Sequence, residues 1–533
     1  MTAKPDLSGG GADSACTVDC EVSSLPAAWP QETPRGSRYL NGVRWTLITN
    51  FVGAGFAAVS GIIIARFLDP SGYGKYRTVT YLVGFCAAVA GFELRDAMRR
   101  FIPTVKQSNP EKVAAVVLGG CGIVASLSLL VAAGFYFGAP FVAAALYKDP
   151  SLAALLRWSG ILVATSAASA LMEAALTGFE LYKAATARSL LAQSIGIPLQ
   201  LALAWHFGVT GALWGFAILT GGRAVILGTA AAGACGFHSL AHVAFGDMLQ
   251  MAAGLLRFSL PLLITALLIP FANWWLSARL AAMGGMVQVG LFAVAYGLIQ
   301  LLTTIMLAAG VPLIPLVAEA SATSTRQDLN RIVCRGTLAI ALLLVVPGFI
   351  LGANARTVIL LLYGHRFSAA APILFLFALA SVPVGIVEGL GRSLVGMGQV
   401  PLAVAGHVVW LGTIVTTFEV YGWRHGAAGC AQSFLAAELL QAVFLITVYQ
   451  LYLHFDMRPV IKMCLVCGVA MIPAYFLSSA FSGWSIAAFL ATFAAVLAAL
   501  WYGPLAEGDR ALIRNGLLRG KFACLARLNA RSA

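Results

Sequence analysis

The chain has 533 residues, of which 60% are hydrophobic and only 10% are charged, and its formal net charge is +13. Soluble domains contain about 25% charged residues, so this composition excludes a water-exposed globular fold and indicates an integral membrane protein. The positive charge then favours basic cytoplasmic loops rather than nucleic-acid binding, because Lys and Arg collect on the cytoplasmic side of membrane proteins.

Apolar runs of membrane-spanning length follow a polar N-terminal segment. Residues 1–40 are rich in Gly, Ser, Pro and Thr and lack the apolar core of a signal peptide, which predicts a disordered cytoplasmic tail. About fourteen runs of roughly 20 apolar residues, the length that crosses hydrocarbon, lie near 44–66, 77–93, 113–137, 158–178, 190–206, 209–235, 258–278, 288–317, 335–353, 371–391, 401–419, 428–450, 463–480 and 485–503. The sequence therefore predicts an all-α polytopic membrane protein with about 14 transmembrane helices.

Two parts of the chain show the same arrangement of residues. The first span ends at Arg66 in "ARFLDPSGYG", and the seventh ends at Arg279 in "ARLAAMGG". The fourth span of each part carries a late glutamate, Glu173 or Glu388. Because transporters often contain duplicated halves, we interpret spans one to six and seven to twelve as repeats, with chance similarity between apolar helices as the alternative.

The predicted domain organisation follows from this repeat. In chain order it comprises a disordered tail (1–40), a six-helix bundle (41–237), a cytoplasmic linker (238–257), a second six-helix bundle (258–455), an extra helix pair (456–503) and a basic cytoplasmic tail (504–533). The loops between spans are too short to fold separately, so we expect the function to lie within the bilayer.

The distribution of basic residues predicts the orientation. With the N terminus inside, 24 of the 34 Lys and Arg residues fall on the inner side, 9 fall on the outer side, and Arg223 lies within a span. This bias predicts that both termini are cytoplasmic and that the number of spans is even. A protein with twelve spans would also have both termini on the inner side, so twelve spans fit the charge bias as well as fourteen.

Four stretches of the sequence resemble motifs of one membrane-protein family. They are "ARFLDPSGYGKYR" (65–77), "GFELRDAMRRFIP" (91–103), "VGLFAVAYGLIQLLTTIMLAAGVPLIPLVAE" (289–319) and "VILLLYGHRFSAAAPIL" (358–374). In this order and spacing they are similar to the polysaccharide (O-antigen and exopolysaccharide) flippases of the multidrug/oligosaccharidyl-lipid/polysaccharide (MOP) exporter superfamily. The chain departs from the family pattern at Asp69, where Gly is usual, and at Asn273 and Trp274, which replace a commonly acidic-basic pair.

This resemblance implies two six-helix bundles around a central cavity that opens alternately to either side. It further implies a flippase that moves a polyprenyl-diphosphate-linked oligosaccharide across the bacterial inner membrane for cell-surface or extracellular polysaccharide biosynthesis. The expected partners are this lipid-linked substrate, membrane lipids, a coupling ion (H+ or Na+), and polysaccharide polymerase and assembly proteins. We expect no catalytic residue, cofactor, metal or nucleic acid.

Two other functions remain open. A drug/cation antiporter of the same superfamily would be expected to have a strongly acidic cavity. A membrane polysaccharide polymerase or glycosyltransferase would need carboxylates or arginines on a sizeable external loop, whereas the outer loops predicted here are short.

Three arginines are candidate ligands of the substrate diphosphate. Arg66 and Arg279 end repeat-related helices, and a guanidinium can bind phosphate bidentately. Arg223 lies deep in an apolar span, where an arginine costs roughly 2.5–3.5 kcal/mol on insertion scales and generally faces a cavity or a partner. The alternatives are structural anchoring for Arg66 and Arg279, and an ion pair with Glu173 or Glu438 for Arg223.

Three glutamates are candidate coupling residues. Glu173, Glu388 and Glu438 lie within apolar spans, where desolvation disfavours the charged carboxylate and favours proton uptake. A coupled transporter needs such a group. The alternative is a neutral glutamic acid that hydrogen-bonds across helices.

The loop after the first span predicts a turn followed by two cationic anchors. Asp69, Pro70 and Gly72 suit the first, second and fourth positions of a type I turn. Lys75 and Arg77 are expected to reach lipid headgroups at the outer surface.

A second local pattern predicts an amphipathic helix at the cytoplasmic face, over residues 92–101. Arg95 and Arg99 fall on one side of it, and Asp96 and Arg100 are spaced to pair. We expect this helix to contact anionic headgroups, and the alternative is that it guides the incoming diphosphate.

Reporter fusions test the topology. Fusions after Leu249 and after Pro504 should both report the cytoplasm, because the charge bias places both positions on the inner side. A periplasmic signal at either position would contradict the fourteen-span topology.

Overall fold

The computed structural model describes residues 34–109, 112–236 and 242–467, and its regular elements in these ranges are all helical. The helices are α1 (Pro34–Phe67), α2 (Pro70–Gly91), α3 (Leu94–Ser108), α4 (Val113–Phe141), α5 (Leu152–Gly178), α6 (Tyr182–Cys235), α7 (Phe245–Gly310), α8 (Leu313–Thr323), α9 (Arg326–Ala353), α10 (Ala355–Tyr363), α11 (Ala371–Gly396), α12 (Val400–Val420) and α13 (Gly426–Thr447). Single π-helical turns extend α4 and α13, and 3-10 turns precede α11 and α13. The predicted all-α polytopic fold is confirmed, as expected for a chain whose backbone polar groups must be satisfied without water.

Ten described helices are long and apolar enough to cross a membrane. Two of them, α6 with 54 residues and α7 with 66, exceed one crossing and contain a non-helical residue, Gly208 in α6 and Gly285 in α7. When the two segments of α6 and the two segments of α7 are counted separately, the described chain has twelve apolar segments. These match the first twelve predicted spans. The last two predicted spans lie outside the described residues, apart from a helical start at 458–467.

Glycine permits the reversals within α6 and α7. Gly208 has φ 58° and ψ −135°, and Gly285 has φ 75° and ψ 173°. Residues with a Cβ rarely adopt these conformations, so each glycine lets two helical segments follow one another without a longer loop.

The link between α1 and α2 differs from the predicted turn. Asp69 is the N-cap of α2, and its Oδ1 accepts a hydrogen bond from the Gly72 backbone N–H at 2.6 Å. Pro70 occupies the first helical position, where its missing N–H is harmless. The residues expected to form a separate turn therefore begin the helix, and this places Lys75 and Arg77 on a helix rather than in a loop.

The predicted amphipathic helix is present as α3, with a different ion pair from the one expected. Asp96 contacts Arg99 at 3.4 Å. The Arg100 guanidinium instead lies 4.7 Å from the centre of the Phe258 ring on α7. Tertiary contact with an aromatic ring thus replaces the local pairing of Arg100.

Helix packing falls into two groups joined by α2 and α7. In the first group, α5 packs against α2, α3, α4 and α6; in the second, α11 packs against α9 and α13, and α13 against α12. The contact between α2 and α7 is the most extensive helix pairing in the described chain. This pairing therefore links the two groups.

Two of the predicted domain boundaries fall within continuous helices. Helix α1 begins at Pro34, so residues 34–40 belong to a helix rather than to the predicted tail. Helix α7 begins at Phe245 and runs through the predicted boundary at 257 and 258. The division into two bundles and an extra helix pair remains a prediction.

Links between the helices collect at two ends of the molecule. At the Asp69 end, Lys75 near the α1–α2 link contacts Asp149 in the α4–α5 link, and Gly74 meets Met286 beside the break at Gly285. Toward the Glu93 end, Ser259 of α7 donates to the Glu93 carbonyl in the α2–α3 link, and Lys112 before α4 pairs with Asp247 at the start of α7. The predicted orientation puts the Asp69 end outside, and this assignment stays a prediction.

A pair of glycines on the second segment of α6 tests the packing. A Cβ at Gly215 would lie 2.5 Å from Gln200 Cα, whereas a Cβ at Gly222 would meet no atom within 4 Å. Gly215→Ala should lower the free energy of unfolding by about 1–3 kcal/mol through overpacking. Gly222→Ala is the matched control. Thermal unfolding of the purified variants measures both, and equal midpoints would contradict this packing.

Candidate functional site

The site is centred on Arg77, two turns into α2. Its guanidinium carbon lies 4.5 Å from the centre of the Tyr81 ring, and Nη2 donates a hydrogen bond to the Tyr81 hydroxyl at 2.9 Å. The side chain is half-buried, and its Nε is enclosed without a hydrogen-bond partner in the described chain. A cation over a ring face is stabilised by about 0.5–2 kcal/mol. This offsets only part of the free energy that is lost when the guanidinium charge is removed from water.

Phenols surround the Arg77 charge. Arg77 interacts electrostatically with Tyr73 and Tyr76 on its own helix, and with Tyr296 and Tyr363 from the second half of the chain. Helix α2 supplies residues at positions −4, −1 and +4 relative to Arg77, while tertiary packing brings the other two. The charge is therefore held between the two helix groups.

No described salt bridge includes Arg77. The expectation that it reaches lipid headgroups is wrong, because its Nε is enclosed and its guanidinium stacks on Tyr81 within the protein. Sequence reasoning missed this residue because it was placed in a loop. The available signal was the set of tyrosines at helical spacing around it, which becomes visible once α2 begins at Pro70.

Lys75, the neighbouring predicted anchor, has a different environment. Its Nζ donates to Ser151 Oγ at 2.7 Å and lies 3.6 Å from Asp149 in the α4–α5 link. Partial burial raises the pKa of the Asp149 carboxyl, but the bonds from Ser151 and Lys75 lower it below its ordinary value on balance. Lys75 thus fastens the start of α2 to the first helix group.

Gln200 fixes the position of the Tyr76 hydroxyl. This fully buried amide donates from Nε2 to Tyr76 at 3.2 Å and to the Ala212 carbonyl at 3.3 Å. Its Oε1 accepts a bond from Ser60 on α1 at 3.4 Å. One side chain therefore ties α1, α2 and both segments of α6 together beside Arg77.

A cavity of about 480 Å³ lies along α2 toward the Glu93 end. Its walls are mainly small residues of α2, α5 and α7, among them Ala167 and Ala266, and Glu93 and Arg95 also line it. The enclosed Ser166 hydroxyl lines the same cavity and has no partner in the described chain. Small side chains and a free hydroxyl leave room for a ligand between the helices.

Arg77 and this cavity lie on one face of α2. Tyr81, Gly84, Ala88 and Gly91 follow Arg77 at intervals of four, three, four and three residues, which is one helical stripe. A helix rises about 1.5 Å per residue, so Gly84 lies about 10 Å and Gly91 about 21 Å beyond Arg77. The cavity therefore extends from the Glu93 end toward Arg77.

Aromatic contacts lead from Tyr296 to a buried carboxyl. The Tyr296 ring lies 6.0 Å from that of Phe434, which lies 6.0 Å from that of Trp410. Trp410 Nε1 donates to Glu438 Oε1 at 2.8 Å, and Glu438 is 7% exposed. These contacts place Tyr296 and Glu438 at the two ends of one aromatic cluster.

The structure places the three predicted substrate arginines at separate positions. Arg223 Nη2 lies 2.6 Å from Glu173 Oε2, which is one of the ion pairs considered from sequence. Arg279 binds Glu419 bidentately at 2.6 and 2.7 Å. Arg66 donates to backbone carbonyls of α10. They do not form a common cluster here, and their role in substrate binding remains a prediction.

The predicted coupling glutamates differ in their partners. Glu173 pairs with Arg223, and Glu388 pairs with Arg392 at 2.5 Å one turn along α11. Glu438 accepts from the Trp410 indole and has no basic partner among the described salt bridges. The sequence has no Lys, Arg or His between 468 and 509, so the apolar segment that follows supplies no cation either.

Solved structures share this fold at low sequence identity. The lipid II flippase MurJ in an inward closed conformation matches with a TM-score of 0.67 and 13% identity, over 85% of this chain and 96% of that chain. An inward-facing multidrug-resistance MATE transporter of the MOP superfamily matches with a TM-score of 0.55 and 13% identity, over 80% of this chain and 96% of that chain. A MOP superfamily transporter from Pyrococcus furiosus matches with a TM-score of 0.53 and 14% identity, over 78% of this chain and 95% of that chain. No curated protein matches the sequence.

The family model described as "Polysaccharide biosynthesis protein" matches residues 39–321. This match covers more than half of the 533 residues and includes α2, Arg77 and the cavity. The match confirms the predicted polysaccharide-biosynthesis family, and the solved structures share the fold of this chain. The chain belongs to the family of polysaccharide biosynthesis proteins.

Proposed function

We propose that this protein is an alternating-access flippase that moves a polyprenyl-diphosphate-linked oligosaccharide across the bacterial inner membrane for polysaccharide biosynthesis. The observation that carries the proposal is Arg77, a cation without a carboxylate partner among the described salt bridges, which lies on the cavity-facing stripe of α2 about 10 Å from the cavity residue Gly84. An intramembrane charge of this kind marks a substrate pathway more often than a structural contact.

The surroundings of Arg77 suit a diphosphate. A guanidinium binds phosphate oxygens through parallel hydrogen bonds, and the enclosed Nε is a donor that has none of its own in the described chain. Hydroxyls of neighbouring tyrosines can donate to further phosphate oxygens. An anionic headgroup would thus compensate a charge that the described side chains leave uncompensated.

The same geometry disfavours the drug/cation antiporter. A cationic ligand needs carboxylates at its site, whereas Arg77 places positive charge on the same stripe of α2, about 10 Å from the cavity residue Gly84. Glu93 lines the far end of the cavity together with Arg95, so that end carries both signs. The transport class with an anionic headgroup fits the charges better.

Glu438 is the coupling group that this geometry favours, with H+ as the coupling ion. Its carboxyl is buried and receives one hydrogen bond from Trp410, while Glu388 is the charged neighbour with which it interacts. The other two predicted glutamates are already neutralised by arginines. A buried carboxyl without a cation is the kind of group that exchanges a proton.

Substitution of Arg77 tests the substrate site. Arg77→Ala should weaken binding of undecaprenyl diphosphate by roughly ten- to a hundredfold, because one charge-assisted hydrogen bond contributes about 1.5–3 kcal/mol. Arg77→Lys should give an intermediate loss, since an ammonium cannot bind two oxygens in parallel. Ligand-induced thermal stabilisation of the purified protein measures binding.

Arg157→Ala is the matched control, because Arg157 is exposed and also lies over a tyrosine ring, that of Tyr136 at 5.6 Å. Neutral undecaprenol should bind wild type and Arg77→Ala alike. Unchanged diphosphate binding by a folded Arg77→Ala protein would refute the assignment.

Substitution of Glu438 tests coupling. Glu438→Gln mimics the neutral carboxyl and should flatten the dependence of flipping on pH between 5 and 8, because the group that changes protonation is gone. Flipping of undecaprenyl-diphosphate-linked N-acetylglucosamine in proteoliposomes, at equal protein content, measures the effect. Glu319→Gln, on an exposed face of α8, should retain the parental profile. A parental profile for Glu438→Gln would assign Glu438 a structural role.

A further inference from the structure

The link between α2 and α3 has a strained backbone where it borders the cavity. Phe92 has φ 47° and ψ 32°, and Glu93 has φ 50° and ψ 28°, so two consecutive residues with a Cβ are left-handed. Residues other than glycine are uncommon in this region, and strain of this kind persists only where the surrounding structure enforces it. Here the fully buried Ser259 hydroxyl of α7 donates to the Glu93 carbonyl at 3.4 Å. The packing of α7 therefore supports the conformation in which Glu93 lines the cavity.

The charged residues at the start of α3 fall into two groups. Asp96 pairs with Arg99 at 3.4 Å, and Arg100 lies over an aromatic ring of α7. Glu93 and Arg95 have no salt bridge or side-chain hydrogen bond in the part of the chain that the structure describes. These two are also the charged residues that line the cavity. A carboxylate and a guanidinium are thus available to a ligand in the same cavity.

The polar groups of this cavity suit a ligand that is uncharged and rich in hydroxyls. A carboxylate only accepts hydrogen bonds and a guanidinium only donates them, whereas a hydroxyl does both. A cationic ligand would be repelled by Arg95 and an anionic ligand by Glu93, yet either would lose its hydration on entering the cavity. Sugar hydroxyls can bond to both side chains without bringing a charge. The Ser166 hydroxyl, which lines the cavity and has no partner in the described chain, adds a neutral group of the same kind.

The distance from Arg77 decides which part of a lipid-linked glycan reaches these groups. Gly91, the last residue of α2, lies about 21 Å beyond Arg77 at a rise of about 1.5 Å per residue. A diphosphate bound at Arg77 cannot span this distance. The cavity walls are mainly small side chains, which leaves room for sugars. With the diphosphate at Arg77, the groups beside Glu93 therefore contact the glycan.

We propose that Glu93 and Arg95 form a charge-balanced subsite, which selects glycans that carry an uncharged sugar at this distance from the lipid diphosphate. A uronic acid at this position is disfavoured by Glu93, and a sugar with a free ammonium group is disfavoured by Arg95. The inference rests on the proposed function, because the glycan reaches this end of the cavity only when its diphosphate lies at Arg77. It adds the charge class of the substrate to that function.

Two synthetic ligands test the subsite with the purified full-length protein in lipid nanodiscs. Both are undecaprenyl-diphosphate-linked tetrasaccharides: one contains four glucose units, and in the other glucuronic acid replaces the glucose farthest from the lipid. The parental protein should bind the neutral compound roughly tenfold more tightly, because the subsite does not compensate the charge of the glucuronate. Ligand-induced thermal stabilisation over a concentration series measures both affinities.

Substitutions at the subsite should change this preference in opposite directions. Glu93→Gln should abolish or reverse the preference, because Arg95 can then pair with the glucuronate unopposed. Arg95→Gln should widen it, because Glu93 then repels the glucuronate unopposed. Asp96→Asn is the matched control, since Asp96 pairs with Arg99 and is not among the residues that line the cavity. Arg77→Ala should weaken binding of both compounds to the same extent.

Two results would overturn the subsite: equal affinity of the parental protein for the two compounds, or a parental preference in both Glu93→Gln and Arg95→Gln. The proposed function would survive either result as long as undecaprenyl diphosphate binds in a manner that depends on Arg77. A parental protein that binds neither tetrasaccharide nor undecaprenyl diphosphate would instead refute the proposed function, and the subsite would fall with it.

Discussion

A guanidinium within an apolar helix bundle must have its charge compensated, and this requirement decides the partners of four arginines in the described chain. Carboxylates compensate the charges of Arg223 and Arg279, and carbonyl groups at a helix end compensate the charge of Arg66. At Arg77 the compensation comes from ring faces and phenol hydroxyls instead. Those neutral groups stabilise a cation less than a carboxylate does, which leaves Arg77 with unused capacity for an anion.

The positions of small residues determine where the helices separate and where they meet. Along α2, Gly84, Ala88 and Gly91 line a cavity, because nothing from the neighbouring helices fills the space that they leave. Gly74 on the same helix has the opposite effect, since a carbonyl of α7 occupies the place of its missing side chain. One helix therefore makes a close backbone contact with α7 near its start and borders a cavity near its end.

An aromatic cluster connects the second segment of α7 to the buried Glu438. The Tyr296 ring contacts that of Phe434, which contacts that of Trp410, and the Trp410 indole donates a hydrogen bond to the Glu438 carboxyl. These rings fix the position of a carboxyl that has no basic partner among the described salt bridges.

The sequence by itself determined the all-α membrane fold and the first twelve apolar segments, because the hydrocarbon thickness fixes the length of an apolar run and allows little besides helices. It also identified the family through the order of its motifs. It did not determine which charges pair, since Arg223 and Glu173 are separated by 50 residues and Arg279 and Glu419 by 140. Only the tertiary structure brings these ion pairs together. It also gives Arg77 no carboxylate partner among the described salt bridges, and it places Gly74 against a backbone carbonyl of α7. The physical reason is that hydropathy and helical spacing act along one segment, whereas charge compensation and close backbone approach depend on which segments pack together.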